Sequence, residues 1–427
     1  MNLWRRGAVW KGHNKLLEDK VNEFLERQGE NAARLLSELI RLRTLVFSEQ
    51  ETQEFLYHYL GSLGVEPRYA PIDEDIVNDP DYTNVPGHTR YAGRNNVTVT
   101  IPGTGGGRSL ILNAHSDVVP GPDKVFTPRQ EGDLLYGRGA CDAKGQVVTI
   151  LLVLRALKEL GIKLRGDLQA QLVIEEEPGG NGTLSLIRQG NKADAALALE
   201  GTSLHVCPAN RGALWYKLAV EGKSIHMGSY HQGVNAVQKM ADLIYYALRK
   251  YETKLRDESR GLPLFPDDPS PVNVNIGMIH GGEWPATVAG ECVLEGGVAF
   301  LPNKGLKQIE VEMRQAIEEA ADDWCKTHYS LSFDRLHNDA FETQVDHPAV
   351  LALCKAADKA RGPEPPTGFH ASCDARLFHH RGKMPTVVFG PGDLADAHSV
   401  EERIRISDII TAARAITFFV MDWVGVA

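Results

Sequence analysis

Apolar residues recur every three or four positions from about Lys15 to Arg43 (Leu16, Val21, Phe24, Leu25, Ala32, Leu35, Leu36, Leu39, Ile40), and this spacing predicts an amphipathic helical stretch. A second helix is predicted over Glu49 to Leu63. Residues 71–93 (PIDEDIVNDPDYTNVPGHTRYAG) are acidic, proline-rich and aperiodic, and read as a long surface loop. The texture then changes to short β-rich runs alternating with helical stretches, the pattern of an α/β sheet with crossover helices. The runs are NNVTVTIP, SLILNAHSDVV, DLQAQLVIEEE and ADAALALEGT, with helices at about Ala143 to Leu160 and Thr183 to Arg188.

Near Asn210 a different order begins: the strand WYKLAVEG, a helix over Gly233 to Lys250, the strands VNVNIGMIHGG and ECVLEGGVAF, a helix over Lys304 to Lys326, and the strand YSLSFDRL. This βαββαβ order predicts a compact two-layer α+β unit. After Ala340 the chain returns to helix (His347 to Ala360), the strand MPTVVFG and a final helix. The expected architecture is a discontinuous α/β domain, residues 1–208 and 341–427, interrupted by an inserted α+β domain, residues 209–340. The glycine-rich PGTGGGRS at 102–109 precedes a strand, whereas a phosphate loop lies between a strand and a helix, so it reads as a plain turn.

Composition narrows the function classes. The 427 residues carry 43% apolar and 24% charged side chains, close to the average soluble domain, and no run reaches the length of a spanning helix. The first residues lack the apolar stretch of a secretory signal, which points to the cytoplasm. A net charge of −10 with scattered basic residues argues against a nucleic-acid surface. The six cysteines form no C-x-x-C pair and read as reduced thiols.

In an open α/β sheet the ligand lies beyond the carboxyl ends of the strands. Those ends repeatedly deliver metal-type ligands: LILNA leads into His115, Ser116 and Asp117, LQAQLVI into Glu175, Glu176 and Glu177, and AALAL into Glu200. Asp142 lies in GRGACDAKG before a helix, and His398 in GPGDLADAH after MPTVVFG. Such a concentration of carboxylates needs a cation to neutralise it. His115 and Asp117 are two apart, so extended backbone puts both on one face, where Asp117 can accept from the second imidazole nitrogen and orient the ring. Imidazole and carboxylate donors without thiolate suit zinc first, with cobalt or manganese as alternatives, and hydrolysis requires one carboxylate to stay off the metal as general base.

LILNAHSDVVP, YGRGACDAKG, IEEEPGGNGT, LEGT and GPGDLADAH, in this order, resemble the successive motifs of the acetylornithine deacetylase, succinyl-diaminopimelate desuccinylase, aminoacylase and glutamate carboxypeptidase family. The resemblance implies a zinc-peptidase-like catalytic domain with a mixed sheet flanked by helices, plus a ferredoxin-like lid. It further implies two Zn²⁺ per chain (Co²⁺ or Mn²⁺ in their place), bridged by Asp142, with His115 and Glu200 completing one site and Glu177 and His398 the other. Glu176 would be the general base and acid. In the lid, GKSIHMGSYHQGVNAV resembles the motif whose His stabilises the tetrahedral oxyanion in the partner subunit; that residue is His226, which implies a homodimer through the lid domain. Tyr230 stands where the family usually has Pro.

The expected activity is hydrolysis of the amide of a small N-acyl amino acid or related N-acyl amine. Many relatives carry an Arg in the stretch matching LEGGVAFLPN, and here there is none. Arg211, Arg376 and Asn275 are the candidate substrate-binding residues, a guanidinium being able to grip a carboxylate bidentately, and Trp284 a candidate apolar wall. Within the class, the alternatives are a dipeptidase or carboxypeptidase, an N-formyl-amine deformylase and a carbamoyl-amide hydrolase. From another class, the alternative is a non-catalytic metal-binding relative, against which the intact Glu176 argues. Cys141, His205, His280 and His347 are read as structural, and His370, His379 and His380, near the C-terminal part of the site, as residues that cap or solvate the surface.

Overall fold

The computed structural model describes residues 3–85, 87–88, 90–266 and 271–427, with side chains from Lys15 onward. The first helical stretch is two helices, Leu3–Glu26 and Gly29–Arg41, broken at Arg27 and Gln28. Val21, Leu25, Leu35, Leu36, Leu39 and Ile40 face inward and are fully buried, which is what the three-to-four spacing demands. The second helix runs Gln50–Ser62.

The central sheet has six strands in the order Pro67–Pro71, Asn95–Ile101, Leu168–Val173, Leu110–His115, Ala196–Ala198 and Thr386–Val388. The last four run parallel to one another and the first two pair antiparallel, so the sheet is mixed. Leu110–His115 is buried at every position, as a parallel strand covered on both faces should be. The helices Gly145–Glu159 and Ile406–Trp423 pack together beside the sheet, and their side chains fill a core that draws on residues from Val21 to Val206 and from Ala349 to Val424.

A second core is built only from residues between Ala209 and Ala340. Its sheet order is Asn273–Gly281, Glu291–Phe300, Gly212–Glu221 and Tyr329–Ser332, all antiparallel, with His337–Asn338 also pairing Gly212–Glu221. Two helical runs cover it: Ala236 to Glu258, which passes through a wider turn at Ile244–Leu248, and Leu306–Ala320. The first run starts where Asn235 caps the amides of Val237 and Gln238 through its side chain. It extends eight residues beyond its expected end, because Tyr251 and Leu255 continue its buried face. The two chain segments flanking this unit lie side by side: Phe341–Glu342 pairs antiparallel with Ala209–Asn210, and Gly368–Phe369 joins on the other edge.

The described residues of 71–93 form a largely exposed surface segment, as expected, with a short helical turn at Glu74–Asn78, and the segment is tied down. Arg188 grips Asp75 and Asp79, Arg381 grips Asp79, and Glu74 accepts from the amides of Tyr91 and Ala92. Asp75 and Asp79 therefore tether the segment to Arg188 at the end of the helix Asn181–Arg188 and to Arg381 just beyond the helix Ala375–His380, while Glu74 closes the segment on itself, uses that composition alone does not reveal.

Gly182, near the start of the helix Asn181–Arg188, packs so closely that a Cβ there would lie 2.1 Å from the Ile174 carbonyl oxygen and 2.8 Å from Asn96 Oδ1. In an open helix Gly→Ala gains about 1 kcal/mol. Gly182→Ala should instead destabilise the protein by about 1–3 kcal/mol through overpacking, as measured by urea denaturation.

Candidate metal centre and active site

The carboxyl edges of the four parallel strands converge. The strand Leu110–His115 ends on His115, whose Nε2 lies 2.9 Å from Asp142 Oδ1. His398 Nε2 lies 3.2 Å from Asp142 Oδ2 and 3.1 Å from Glu177 Oε2, so Asp142 stands between two imidazoles. Donor atoms of His115, Asp142 and Glu177 all fall within 4.8 Å of one another. Glu176 and Glu200 are close enough for their charges to act on His115 and on each other. His115 is buried, whereas His398 is half exposed at the rim.

Local structure holds these groups in place. Asp117 accepts from the amides of Glu176 (3.2 Å) and Glu177 (3.1 Å). His115 Nδ1 is met at 3.0 Å by the Asp117 main-chain carbonyl and only at 3.6 Å by its carboxylate. Asp117 thus orients His115 chiefly through its backbone, because its carboxylate is committed to the glutamate turn. Asp142 follows the left-handed Gly139, at which a side chain would collide with Lys144 and Val118. Glu402 accepts from the amides of Cys141 and Asp142, and is itself paired with Arg138 at 2.5 Å. Arg138 also donates to the His398 carbonyl, so one buried ion pair braces both Asp142 and His398.

The electrostatics are those of a site short of positive charge. Desolvation raises Glu176 and Glu200 well above the carboxylate range, with neighbouring carboxylates adding to it. Desolvation lifts Glu177 to about 7 and Asp374 to about 6. Burial also works to raise Asp142, but the hydrogen bonds to His115 and His398 outweigh it and hold Asp142 below its usual range. Bonds to Asp142 and Glu177 raise His398 to about 10. Two imidazoles cannot balance this many acids, and the donors are nitrogen and carboxylate oxygen without thiolate. The residues present therefore fit divalent cations of the zinc, cobalt or manganese type.

The remaining candidate residues take other positions. His226 is exposed on the second unit, where its Nδ1 accepts from the Gly228 amide. Asn275 is exposed beside a cavity of about 360 Å³ lined by Trp215, Met278 and Arg335, and Trp284 is exposed. Arg211 donates to the His370 carbonyl. Arg376 is buried against the glutamate turn, donating to the Gly179 carbonyl at 2.8 Å, with Asp374 and Glu176 among its charged neighbours. Asp374, Glu402 and Arg138 belong to the site although no motif singled them out. Glu402 sits four residues after His398, yet its partner Arg138 is 264 positions away, and no local pattern reports such a pair.

A mixed sheet whose strand ends gather two imidazoles and several acids, joined to a separate α+β unit, defines the class of two-domain metallohydrolases. The pattern of Peptidase family M20/M25/M40 matches residues 111–422, and the chain belongs to that family. It is thus a metal-dependent hydrolase of amide C–N bonds. The chain is 29% identical over 362 residues to an N-formyl-4-amino-5-aminomethyl-2-methylpyrimidine deformylase of Bacillus subtilis (strain 168), spanning 78% of this chain and 84% of the relative. It is 26% identical over 371 residues to an acetylornithine deacetylase of Photorhabdus laumondii, spanning 85% and 87%. Among solved structures, a Staphylococcus aureus tripeptidase superposes with a TM-score of 0.73 at 20% identity, covering 93% of this chain and 98% of the other, and so shares the fold. None of the helices in the described residues is long and apolar enough to cross a membrane.

Metal ligands must be deprotonated, and in the metal-free protein Asp142 and Glu177 hold a proton on His398. Uptake of Zn²⁺ or Co²⁺ should therefore release protons, and apparent affinity should rise with pH through the neutral range up to about pH 10, where His398 gives up its proton unaided. Calorimetry in two buffers of different ionisation enthalpy checks this; uptake without proton release would contradict it.

Proposed function

We propose that this chain removes a small acyl group from an amine that carries no carboxylate, with an N-formyl aminomethyl-heterocycle as the first substrate class to test. The observation that carries the reading as a hydrolase is Asp142 flanked on its two oxygens by His115 and His398, with Glu177 alongside. Two readings of the substrate compete. The stretch LEGGVAFLPN offers no Arg, which favours a substrate without a carboxylate. The relatives named as deformylases point the same way. Likeness to acetylornithine deacetylases supports the second reading, an N-acyl amino acid.

In this proposal His115, Asp142 and Glu200 would hold one Zn²⁺, and Asp142, Glu177 and His398 would hold a second. Bound ions of this kind supply a lowered water pKa and positive charge for the developing oxyanion. Glu176 takes the proton from the attacking water and returns it to the leaving amine, as the C–N bond breaks and the water oxygen passes to the released carboxylate. Its withdrawal from solvent suits it to hold that proton between the two transfers. His226 of a second copy donates to the oxyanion, with the unit 209–340 serving as lid and dimer contact to the catalytic unit 1–208 and 341–427. The protein is proposed to act in the cytoplasm.

The first experiment offers N-formyl-4-amino-5-aminomethyl-2-methylpyrimidine, N-acetyl-L-ornithine and a dipeptide to protein of known metal content, before and after chelation. The formyl amine should give a kcat/KM at least about tenfold above the others, which is about 1.4 kcal/mol of transition-state preference. A preference for N-acetyl-L-ornithine would hand the site to the second reading, and no chelator-sensitive turnover of any amide would refute both. Glu176→Gln should keep the metal yet lose about 10²–10⁴ in kcat. Inactive Glu176→Gln and weakened His226→Ala chains, mixed and re-associated, should recover about a quarter of the wild-type rate, because half of the dimers then own one complete site. No recovery would place His226 outside the partner's site.

A further inference from the structure

The glutamate that precedes the proposed base has no part in the reaction as described, yet it is the most elaborately held residue of the turn. Glu175 is fully buried and its backbone is left-handed, with φ +58°, a conformation that glycine or asparagine adopts far more readily. Its carboxylate accepts from the Tyr91 hydroxyl at 2.7 Å and from Asn181 Nδ2 at 3.0 Å, and lies 2.6 Å from Arg94 Nη1. Arg94 in turn pairs with buried Glu49 through Nε at 3.0 Å and through Nη2, and its guanidinium is flanked by the rings of Phe47 and Tyr91. Asn181 is fixed independently, donating to the Thr83 carbonyl and accepting from the Thr83 amide.

The Glu175 carbonyl accepts from the Gly180 and Asn181 amides, while the next two amides, of Glu176 and Glu177, are tied to Asp117. The turn is thus pinned from below by a side chain and from beside by Asp117, and the Glu176 side chain is what it presents. We infer that Glu175, clamped by Arg94 and Tyr91, is a positioning residue that sets the aim of Glu176, and that the segment holding Tyr91 and Arg94 serves as the anchor of the proposed general base. This rests on the reading of Glu176 as base.

The test compares Glu175→Gly, which relieves the left-handed backbone but removes the peg, with Tyr91→Phe, which keeps volume and removes one hydrogen bond. Both are made in the metal-loaded enzyme and assayed on whichever of the formyl aminopyrimidine and N-acetyl-L-ornithine is turned over. We expect Glu175→Gly to lower kcat about 10- to 100-fold with KM and bound metal nearly unchanged, since misplacement of a reacting group by about 1 Å has that cost. Tyr91→Phe should show a smaller fall of the same kind. In a Glu176→Gln background Glu175→Gly should cost almost nothing further, because the group it aims is gone. A kcat for Glu175→Gly within about threefold of wild type would overturn the inference. So would a fall that tracks lost metal, which would assign Glu175 to holding Glu177 as a ligand. Should Glu175→Gly fail to fold, an unchanged kcat for Tyr91→Phe overturns it alone. If Glu176→Gln itself stays active, the reading of the base has failed, whatever Glu175 does.

Discussion

Negative charge gathered out of water, at one edge of one sheet, is the constraint around which this protein is organised. Asp117, Asp142, Glu175, Glu176, Glu177, Glu200 and Asp374 converge where four parallel strands end, against the imidazoles of His115 and His398. Desolvating so many acids is costly unless each finds a donor or a cation. The structure answers with two strategies. Asp117 and Glu402 spend their oxygens on backbone amides, and Glu175 takes the Arg94 guanidinium. Asp142 and Glu177 share only the imidazoles of His115 and His398, and Glu176 and Glu200 are pushed well above the carboxylate range, which is the electrostatic signature of a place where a cation belongs.

The division of labour has a mechanical side. Residues that face the cleft come from strand ends and loops, whose backbone has few ladder bonds to hold it. Buried ion pairs supply the missing stiffness: Arg138 with Glu402 behind Asp142 and His398, and Arg94 with Glu49 and Glu175 behind the glutamate turn. Such pairs add little net stability, but their directed bonds allow few alternative arrangements. Lys144 does similar service beneath the Asp142 loop: its ammonium, wholly buried, donates to the carbonyls of Leu39 and Leu42 past the end of a helix.

What the sequence disclosed follows the range of the interactions. The strand Leu110–His115 and the helix Gly145–Glu159 are legible because their apolar runs are continuous and bounded by glycine, charge or turn residues. His115, Glu176, Glu177 and Glu200 stand out because each follows such a run directly. The lid's strand and helix order is legible for the same reason, although the helix Ala236–Leu243 and its continuation to Glu258 run past the expected end. The braces were invisible. Thr183 and Asp374 meet across 191 positions and Arg138 and Glu402 across 264, and a charged residue in a short loop looks solvated until its partner is known. The acidic segment 71–93 is a surface segment as its composition suggests, but the partners of Asp75, Asp79 and Glu74 were hidden in the same way, because Arg188, Arg381 and the Tyr91 amide come from elsewhere in the chain or across the loop.

The short ribbon in which Ala209–Asn210 lies against Phe341–Glu342 has an evolutionary reading. Where a chain leaves a body and returns to it at adjacent points, the intervening segment can be lost, replaced or enlarged while the host strands keep their register. The 130 residues between Asn210 and Phe341 are topologically a graft on a single stem. A family built this way can vary the inserted unit without disturbing the host strands whose ends carry the acidic cluster.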